Sequence, residues 1–427
     1  MSRFEIVGGR PIGGTRHVPG NKNAALPMIA AALLTDEPVT LRNLPLIDDV
    51  RVMLDLARAL GVEVSLDEDG CQATLCARTL PQVPKLDREL CRRVRGSILF
   101  AGALLGRCGT VVVPPPGGDV IGKRRLDTHF IGFQALGATV KGGANFRIAA
   151  RQLTGSDILL DEASVTATEN LLMAAAKASG KTIIRNAACE PHVQNLCRLL
   201  MAMGVRISGV GTNKLVVCGA THLKGATVAI GSDTIEAASY MVASLVTGGG
   251  LTLKGIAPDD FRVLERPFRR FGVRYTISGT TLNLPPKQVL RTEYDFGKAI
   301  PKLEDGLWPA FPSDLMSVFI VLATQARGTT VFFEKMFESR LYFVDHLIGM
   351  GAGIVPCDPH RVVVTGPMRL QGAMVSSPDI RAGMALLIAA LCAKGKTVIN
   401  NAESIDRGYA QVDRELRSLG ANIRRIG

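Results

Sequence analysis

The sequence predicts an α/β protein of two domains, built from six repeats of about 70 residues with three repeats to a domain. Three observations carry this. A chain of 427 residues is too long for one simple core. A bulky apolar residue followed by Gly and then Ala or Val recurs six times. Upstream of each copy lies a helical stretch that is apolar on nearly every face.

The tripeptides are Leu60-Gly61-Val62, Leu136-Gly137-Ala138, Met203-Gly204-Val205, Phe271-Gly272-Val273, Met350-Gly351-Ala352 and Leu419-Gly420-Ala421, with successive glycines 76, 67, 68, 79 and 69 residues apart. Each glycine falls where an amphipathic helix should stop in a left-handed turn. In the first copy Val50, Met53, Leu54, Ala57 and Leu60 share one face, while Arg51, Asp55 and Arg58 share the other. In the last copy Val412, Leu416 and Leu419 make the apolar face, and Asp413 stands four residues before Arg417. A strand should follow each glycine, as at Val62-Glu63-Val64 and Ala421-Asn422-Ile423. The apolar helices are expected at 24–34, 96–105, 171–178, 238–246, 315–324 and 382–393. A turn and a short strand follow each of them, as in Pro38-Val39-Thr40-Leu41 and Gly395-Lys396-Thr397-Val398. A helix with no polar face must be enclosed by protein, so three such helices should gather at the centre of each domain.

Composition narrows the function. The net charge is +12, from 50 Lys and Arg against 38 Asp and Glu, which fits an anionic partner. The basic residues are scattered, the longest cluster being Lys123-Arg124-Arg125, and aromatics make up only 5% of the chain. That is not the basic stripe interleaved with aromatics of a nucleic-acid binder. Nine cysteines include no C-x-x-C pair and are irregularly spaced, which excludes a disulfide framework or zinc site and fits reduced cytosolic thiols. The N-terminus has no apolar signal region, and apolar runs such as 24–34 fall short of the roughly 18–20 residues of a membrane span.

Lys22 opens the first apolar helix, inside Pro19-Gly20-Asn21-Lys22-Asn23-Ala24-Ala25-Leu26-Pro27. A Lys beside free backbone N–H groups at a helix start is a reasonable phosphate site, though a weak signal alone. Further stretches are Pro116-Gly117-Gly118-Asp119-Val120-Ile121-Gly122, Ala167-Thr168-Glu169-Asn170, Phe311-Pro312-Ser313-Asp314, Phe337-Glu338-Ser339-Arg340, Asp379-Ile380-Arg381-Ala382 and Ile405-Asp406-Arg407-Gly408-Tyr409. With these seven stretches in order, the chain resembles the UDP-N-acetylglucosamine enolpyruvyl transferases from about Phe4 to Ile426.

The resemblance implies the enolpyruvyl transferase fold, a two-domain inside-out α/β barrel with the active site in the cleft between domains. It places residues 1–22 and 233–427 in one domain and 23–232 in the other, which carries the catalytic loop. It implies transfer of the enolpyruvyl group of phosphoenolpyruvate to the 3-hydroxyl of UDP-N-acetylglucosamine, the first committed step of peptidoglycan precursor synthesis, with no metal or organic cofactor. Asp119 takes the place of the proton donor, which is Cys in most of the family and Asp in a minority, and Asp314 that of the base at the sugar hydroxyl. Their ordinary structural roles would be a turn residue and a helix N-cap. By the same resemblance Lys22, Arg124 and Arg407 hold phosphoenolpyruvate, Arg340 and Arg381 lie near its carboxylate, and Arg95 approaches the nucleotide sugar. Asn23 belongs to the same substrate-binding stretch as Lys22; Asp127, Ser164 and Val165 match contacts to the UDP moiety, and Met336 a backbone contact. The alternative for each arginine is an ordinary surface or salt-bridge role, most of all for Arg381 next to Asp379. Aspartate at position 119 further implies insensitivity to fosfomycin, an epoxide that alkylates the usual cysteine.

Some positions depart from the family pattern. Arg125 stands where Pro is frequent, Thr166 where Gly is usual, Thr234 where Arg is usual, and Gly306-Leu307-Trp308-Pro309-Ala310 is atypical. All concern the sugar-nucleotide side, so a paralogue acting on another UDP-sugar or nucleotide is the alternative. A shikimate-phosphate transferase would carry Lys-Ser at the first helix rather than Lys22-Asn23. A catalytically dead binding module would have lost the charged site residues, which are all present.

Overall fold

The computed structural model describes residues 2–118, 121–122 and 124–427. The chain forms two compact units: one of residues 2–18 and 232–427, with which 121–122 group, and one of 19–118 and 124–231. The boundary expected after Lys22 thus falls between Val18 and Pro19, and the one expected after residue 232 falls between Gly231 and Ser232. The reason is local: the Asn21 N–H donates to the Gly231 carbonyl and the Asn21 side chain caps the helix begun by Lys22, so this stretch folds with the 19–231 unit.

Six buried helices organise the molecule: α1 (Lys22–Ala31), α2 (Phe100–Cys108), α3 (Val165–Ala175), α4 (Thr234–Thr247), α5 (Met316–Gln325) and α6 (Ile380–Cys392). Helices α1, α2 and α3 pack on one another in one unit, as α4, α5 and α6 do in the other. In α5 every residue from Met316 to Thr324 is buried, and α6 is buried from Ile380 to Leu391. Fully burying one Leu or Ile side chain contributes about 1.5–3 kcal/mol, so these trios are the main stabilising element of each unit.

Two of the six begin a full turn or more before their apolar runs. Helix α3 starts at Val165, not Leu171, because Ser164 caps it and the polar Thr168, Glu169 and Asn170 are themselves buried. Helix α4 starts at Thr234 behind the Asp233 cap, whose carboxylate accepts the N–H groups of Ile235 and Glu236 at 2.9 Å. The end of the first run, Ala32–Leu34, tightens into a 3₁₀ turn.

Among the described residues the strands form six separate sheets, not one continuous ring. The "inside-out barrel" is therefore a helical trio flanked by sheets that do not close into a barrel of strands. The sheets share one pattern. The strand after each buried helix pairs in parallel with one neighbour and antiparallel with another, which pairs antiparallel with a fourth segment. For α5 these are Gly328–Phe333, Lys302–Glu304, Arg361–Gly366 and Gly353–Asp358. For α2 the parallel partner shrinks to a single bridge between Lys85 and Val112. For α6 the antiparallel partner is the N-terminal strand Arg3–Val7, which ties the two ends of the chain into one sheet.

All six repeat glycines adopt positive φ, between +71° at Gly272 and +107° at Gly204. In each copy the next residue's N–H returns to a carbonyl five residues back, as Val62 to Ala57, Val205 to Leu200 and Ala421 to Leu416. This double-bonded stop satisfies the last carbonyls of the helix, and a side chain at the glycine would strain it.

Candidate functional site

The expected site residues fall into two groups, one on each unit. In the 19–231 unit Lys22 is the first residue of α1, directly after the Asn21 cap, and is 8% exposed. Its ammonium lies 2.7 Å from the carboxylate of Asp49, itself 4% exposed, in the first turn of the helix Asp48–Ala59. Asn23 follows, half-buried. Arg95 opens the 3₁₀ turn Arg95–Leu99 that leads into α2, and its Nη2 donates to the carbonyls of Arg124 at 2.8 Å and Arg125 at 3.3 Å. Loss of hydration, with repulsion from Arg124, lowers Arg95 to about 10. The segment Pro116-Gly117-Gly118 lies against Arg92–Arg95. The Gly117 N–H donates to the Cys91 carbonyl at 3.0 Å, and a Cβ there would stand 1.9 Å from the Arg92 carbonyl oxygen, so only glycine fits. Asp119, the expected proton donor, lies outside the described residues.

The UDP-side candidates cluster at two helix starts. Asp127 begins the helix Asp127–Ala135 and is exposed, with its carboxylate 2.9 Å from the Arg125 guanidinium. Ser164 caps α3, accepting from the Ala167 N–H at 3.4 Å, and Val165 is the first residue of that helix. Thr166 bonds the buried His129 ring, Oγ1 to Nε2 at 3.2 Å, and His129 Nδ1 lies 2.9 Å from the Asn170 amide. Burial, with the Arg95 charge, depresses His129 to about 3, so it is neutral at physiological pH. Asn170 also donates to the Ile98 carbonyl and accepts from the Gly102 N–H, joining α2 to α3. The Glu169-Asn170 motif is thus architectural at its asparagine.

In the other unit Asp314 sits inside the 3₁₀ turn Ser313–Leu315 ahead of α5. It is not an N-cap. Its Oδ1 accepts from Arg340 Nη2 at 3.1 Å and its Oδ2 from Arg381 Nη2 at 2.8 Å. Both arginines are deeply buried, 3% and 6% exposed. Arg381 therefore does not pair with Asp379, whose carboxylate caps α6 by accepting the N–H groups of Arg381 and Ala382. A second Arg381 nitrogen donates to the Tyr409 hydroxyl at 3.2 Å, which also lies 2.9 Å from Ser239 Oγ. Burial opposes the Arg381 charge, but the Asp314 carboxylate overcomes it and holds the guanidinium charged. Arg407 follows the short helix Glu403–Asp406 and is half-buried. Met336 is exposed, and its N–H donates to Glu334 Oε1.

Sequence reading missed Asp49, the partner of Lys22, although the Asp48-Asp49 pair at a helix start was visible. It also gave no role to Tyr409 or to the buried carboxyls Asp305 and Glu334, because nothing in the sequence marks a long-range partner. The departures Arg125 and Thr166 are accommodated by Asp127 and His129.

Residues 6–416 match the model of the EPSP synthase family, 3-phosphoshikimate 1-carboxyvinyltransferase. The chain belongs to this family of carboxyvinyl transferases. Relatives of high identity bear a narrower name: proteins of Treponema denticola and Bradyrhizobium diazoefficiens, each called UDP-N-acetylglucosamine 1-carboxyvinyltransferase, are 50% and 49% identical. The first alignment covers 99% of both chains, the second 99% of this chain and 98% of its relative. Among solved structures, the enolpyruvyl transferase NikO from Streptomyces tendae superposes with a TM-score of 0.88 at 24% identity, covering 99% of this chain and 98% of its own. An EPSP synthase from Acinetobacter baumannii follows at 0.75 and 18% identity over the whole of both chains. At such identities these two share the fold.

Proposed function

We propose that the chain transfers the enolpyruvyl group of phosphoenolpyruvate to the 3-hydroxyl of UDP-N-acetylglucosamine with release of phosphate, a cytoplasmic step that commits the sugar nucleotide to peptidoglycan synthesis. The observation that carries this reading is the near-half identity, along the full length, to relatives of that one name. The charged residues support it. Phosphoenolpyruvate is strongly anionic, and Lys22, Arg124 and Arg407 supply cations for it. Asp119 gives a proton to the methylene carbon while the sugar 3-hydroxyl attacks the adjacent carbon and yields its proton to Asp314. The methyl group so formed then returns a proton to the Asp119 carboxylate as phosphate leaves with the C–O electron pair, which restores the double bond. Arg340 and Arg381 fix both oxygens of Asp314, which orients its acceptor lone pairs. Asn23, Arg95, Asp127, Ser164, Val165 and Met336 are the remaining contacts proposed for the sugar nucleotide. No metal, organic cofactor or nucleic acid takes part in this scheme. Among the described residues no helix is long and apolar enough to cross a membrane.

The test is phosphate release from phosphoenolpyruvate with a panel of UDP-sugars and with shikimate 3-phosphate. Turnover with UDP-N-acetylglucosamine alone is expected. Equal turnover with shikimate 3-phosphate, or none with any UDP-sugar, refutes the reading. One observation favours a second acceptor, another UDP-sugar or nucleotide: Arg125 engages Asp127, a residue proposed for the UDP contact. The same panel decides between them.

A further inference from the structure

Next to Asp314 lies a second acidic centre that the scheme above does not use. Glu334, 0% exposed, follows the strand Gly328–Phe333; Asp305, also 0% exposed, follows its parallel neighbour Lys302–Glu304. The Glu334 carboxyl accepts three donors: Ser313 Oγ at 3.0 Å, and at Oε1 the N–H groups of Met336 at 3.1 Å and Phe337 at 3.0 Å. Asp305 Oδ1 accepts the Lys335 N–H at 2.6 Å, while Asp305 Oδ2 is buried without a donor. A closed circuit results. Glu334 holds Ser313, and the next residue is Asp314. Asp314 is held by Arg340, which ends the segment begun by Met336 and Phe337, and these return to Glu334.

We propose that Glu334 is a positioning residue for the Asp314–Arg340 couple, and that it works with one proton shared between its carboxyl and that of Asp305. The inference rests on the proposed role of Asp314. Two buried carboxylates side by side cannot both ionise cheaply, and a proton on Glu334 supplies the donor that Asp305 Oδ2 lacks. Burial, then the Asp305 hydrogen bond and charge, raise Glu334 to about 8, against the lowering effect of Arg340. The other charged groups nearby face elsewhere. Arg381 is committed to Asp314, the His360 ring bonds the Glu334 backbone carbonyl, and Lys335 pairs with Glu304.

The test uses the full chain with phosphoenolpyruvate and UDP-N-acetylglucosamine from about pH 6 to about pH 10. The wild-type kcat should fall as pH rises through about 8, where the shared proton is lost. Glu334→Gln keeps the three acceptor contacts and offers an amide N–H to Asp305, so it should retain kcat within about threefold near pH 7 and lose that alkaline step. Glu334→Ala should lower kcat about a hundredfold with a much smaller change in KM. A Gln variant as damaged as the Ala variant, a Gln variant with the wild-type alkaline step, or an Ala variant with wild-type kcat overturns the proposal.

Melting against pH reads the pair without any substrate, and so separates its failure from failure of the proposed reaction. Glu334 is raised from 4.5 to about 8, so its contribution to stability is present below the lower value and lost as pH rises to the higher. Glu334→Gln should flatten that slope, and an unchanged slope overturns the shared proton.

Discussion

Replacing Asp314 separates its chemical role from its structural one. Its carboxylate is the counter-charge for two guanidiniums whose side chains are 3% and 7% exposed, while its own is 28% exposed. Removing one partner of a buried ion pair costs about 3–5 kcal/mol, and the partial exposure of Asp314 puts Asp314→Ala near the lower end, about 3 kcal/mol. At about 2–4 °C per kcal/mol for a unit of this size, the melting transition should drop by about 6–12 °C. Asp314→Asn keeps the volume and one acceptor oxygen, so its melting temperature should fall less. Both variants lose the proton acceptor, which is worth about 10²–10⁴ in rate. Turnover should therefore fall at least about a hundredfold in both, while UDP-N-acetylglucosamine affinity, spread over many contacts, stays within about tenfold, or roughly 1.4 kcal/mol. Phosphate release, calorimetric titration and thermal melting measure the three quantities. Near-normal turnover in the Asn variant removes Asp314 from the chemistry; an unchanged melt in the Ala variant shows that the two arginines do not depend on it.

The wild-type enzyme should resist fosfomycin, because a carboxyl is a far weaker nucleophile toward an epoxide than a thiolate; Asp119→Cys should stay active and become inactivated with time, with covalent addition seen by mass spectrometry, whereas Asp119→Asn should lose most turnover. Gly204→Ala meets no atom within 4 Å but must keep a φ of +107°, so it isolates the helix-stop conformation: stability should fall by about 1–2 kcal/mol in denaturant titration, with activity retained below the melt. His129, lowered from 6.5 to about 3, contributes stability that is present above the first value and lost as pH falls toward the second; the loss should reach on the order of 3 kcal/mol by about pH 4, and His129→Gln should flatten that acid limb of the melting curve.

The repeat was legible because its signals are local. A glycine that must take positive φ and a helix with no polar face are both written within about ten residues, and all six copies fold as those signals require. What misled were polar residues bound for the interior. The apolar runs place the starts of α3 and α4 at Leu171 and Ala238, yet Thr168, Asn170 and Glu236 lie buried inside these helices, because the Ser164 and Ile98 carbonyls accept from Thr168 and Asn170 and an arginine meets the Glu236 charge. No local pattern announces such partners.

The same limit explains the site. Lys22, Asp314, Arg340 and Arg381 could be named because short motifs surround them, but what each does depends on contacts the motifs do not contain. For Arg381, expected near the phosphoenolpyruvate carboxylate, the sequence offers a neighbouring ion pair with Asp379 as the alternative. In the structure backbone geometry claims Asp379 as a helix cap, and that frees the guanidinium to reach Asp314, 67 residues away in sequence. Glu334 shows the point more strongly. Its carboxyl sits at the end of a strand, where an acid usually faces water, yet it is enclosed because Ser313 and two backbone N–H groups need an acceptor. Placing a second acid, Asp305, beside it makes sense only if a proton bridges them, since an unshared pair of charges would destabilise the turn on which Asp314 stands. Two acids on separate strands thus acquire a joint role through register alone: Lys302–Glu304 and Val331–Phe333 run in parallel, so the residue after each strand arrives at the same place.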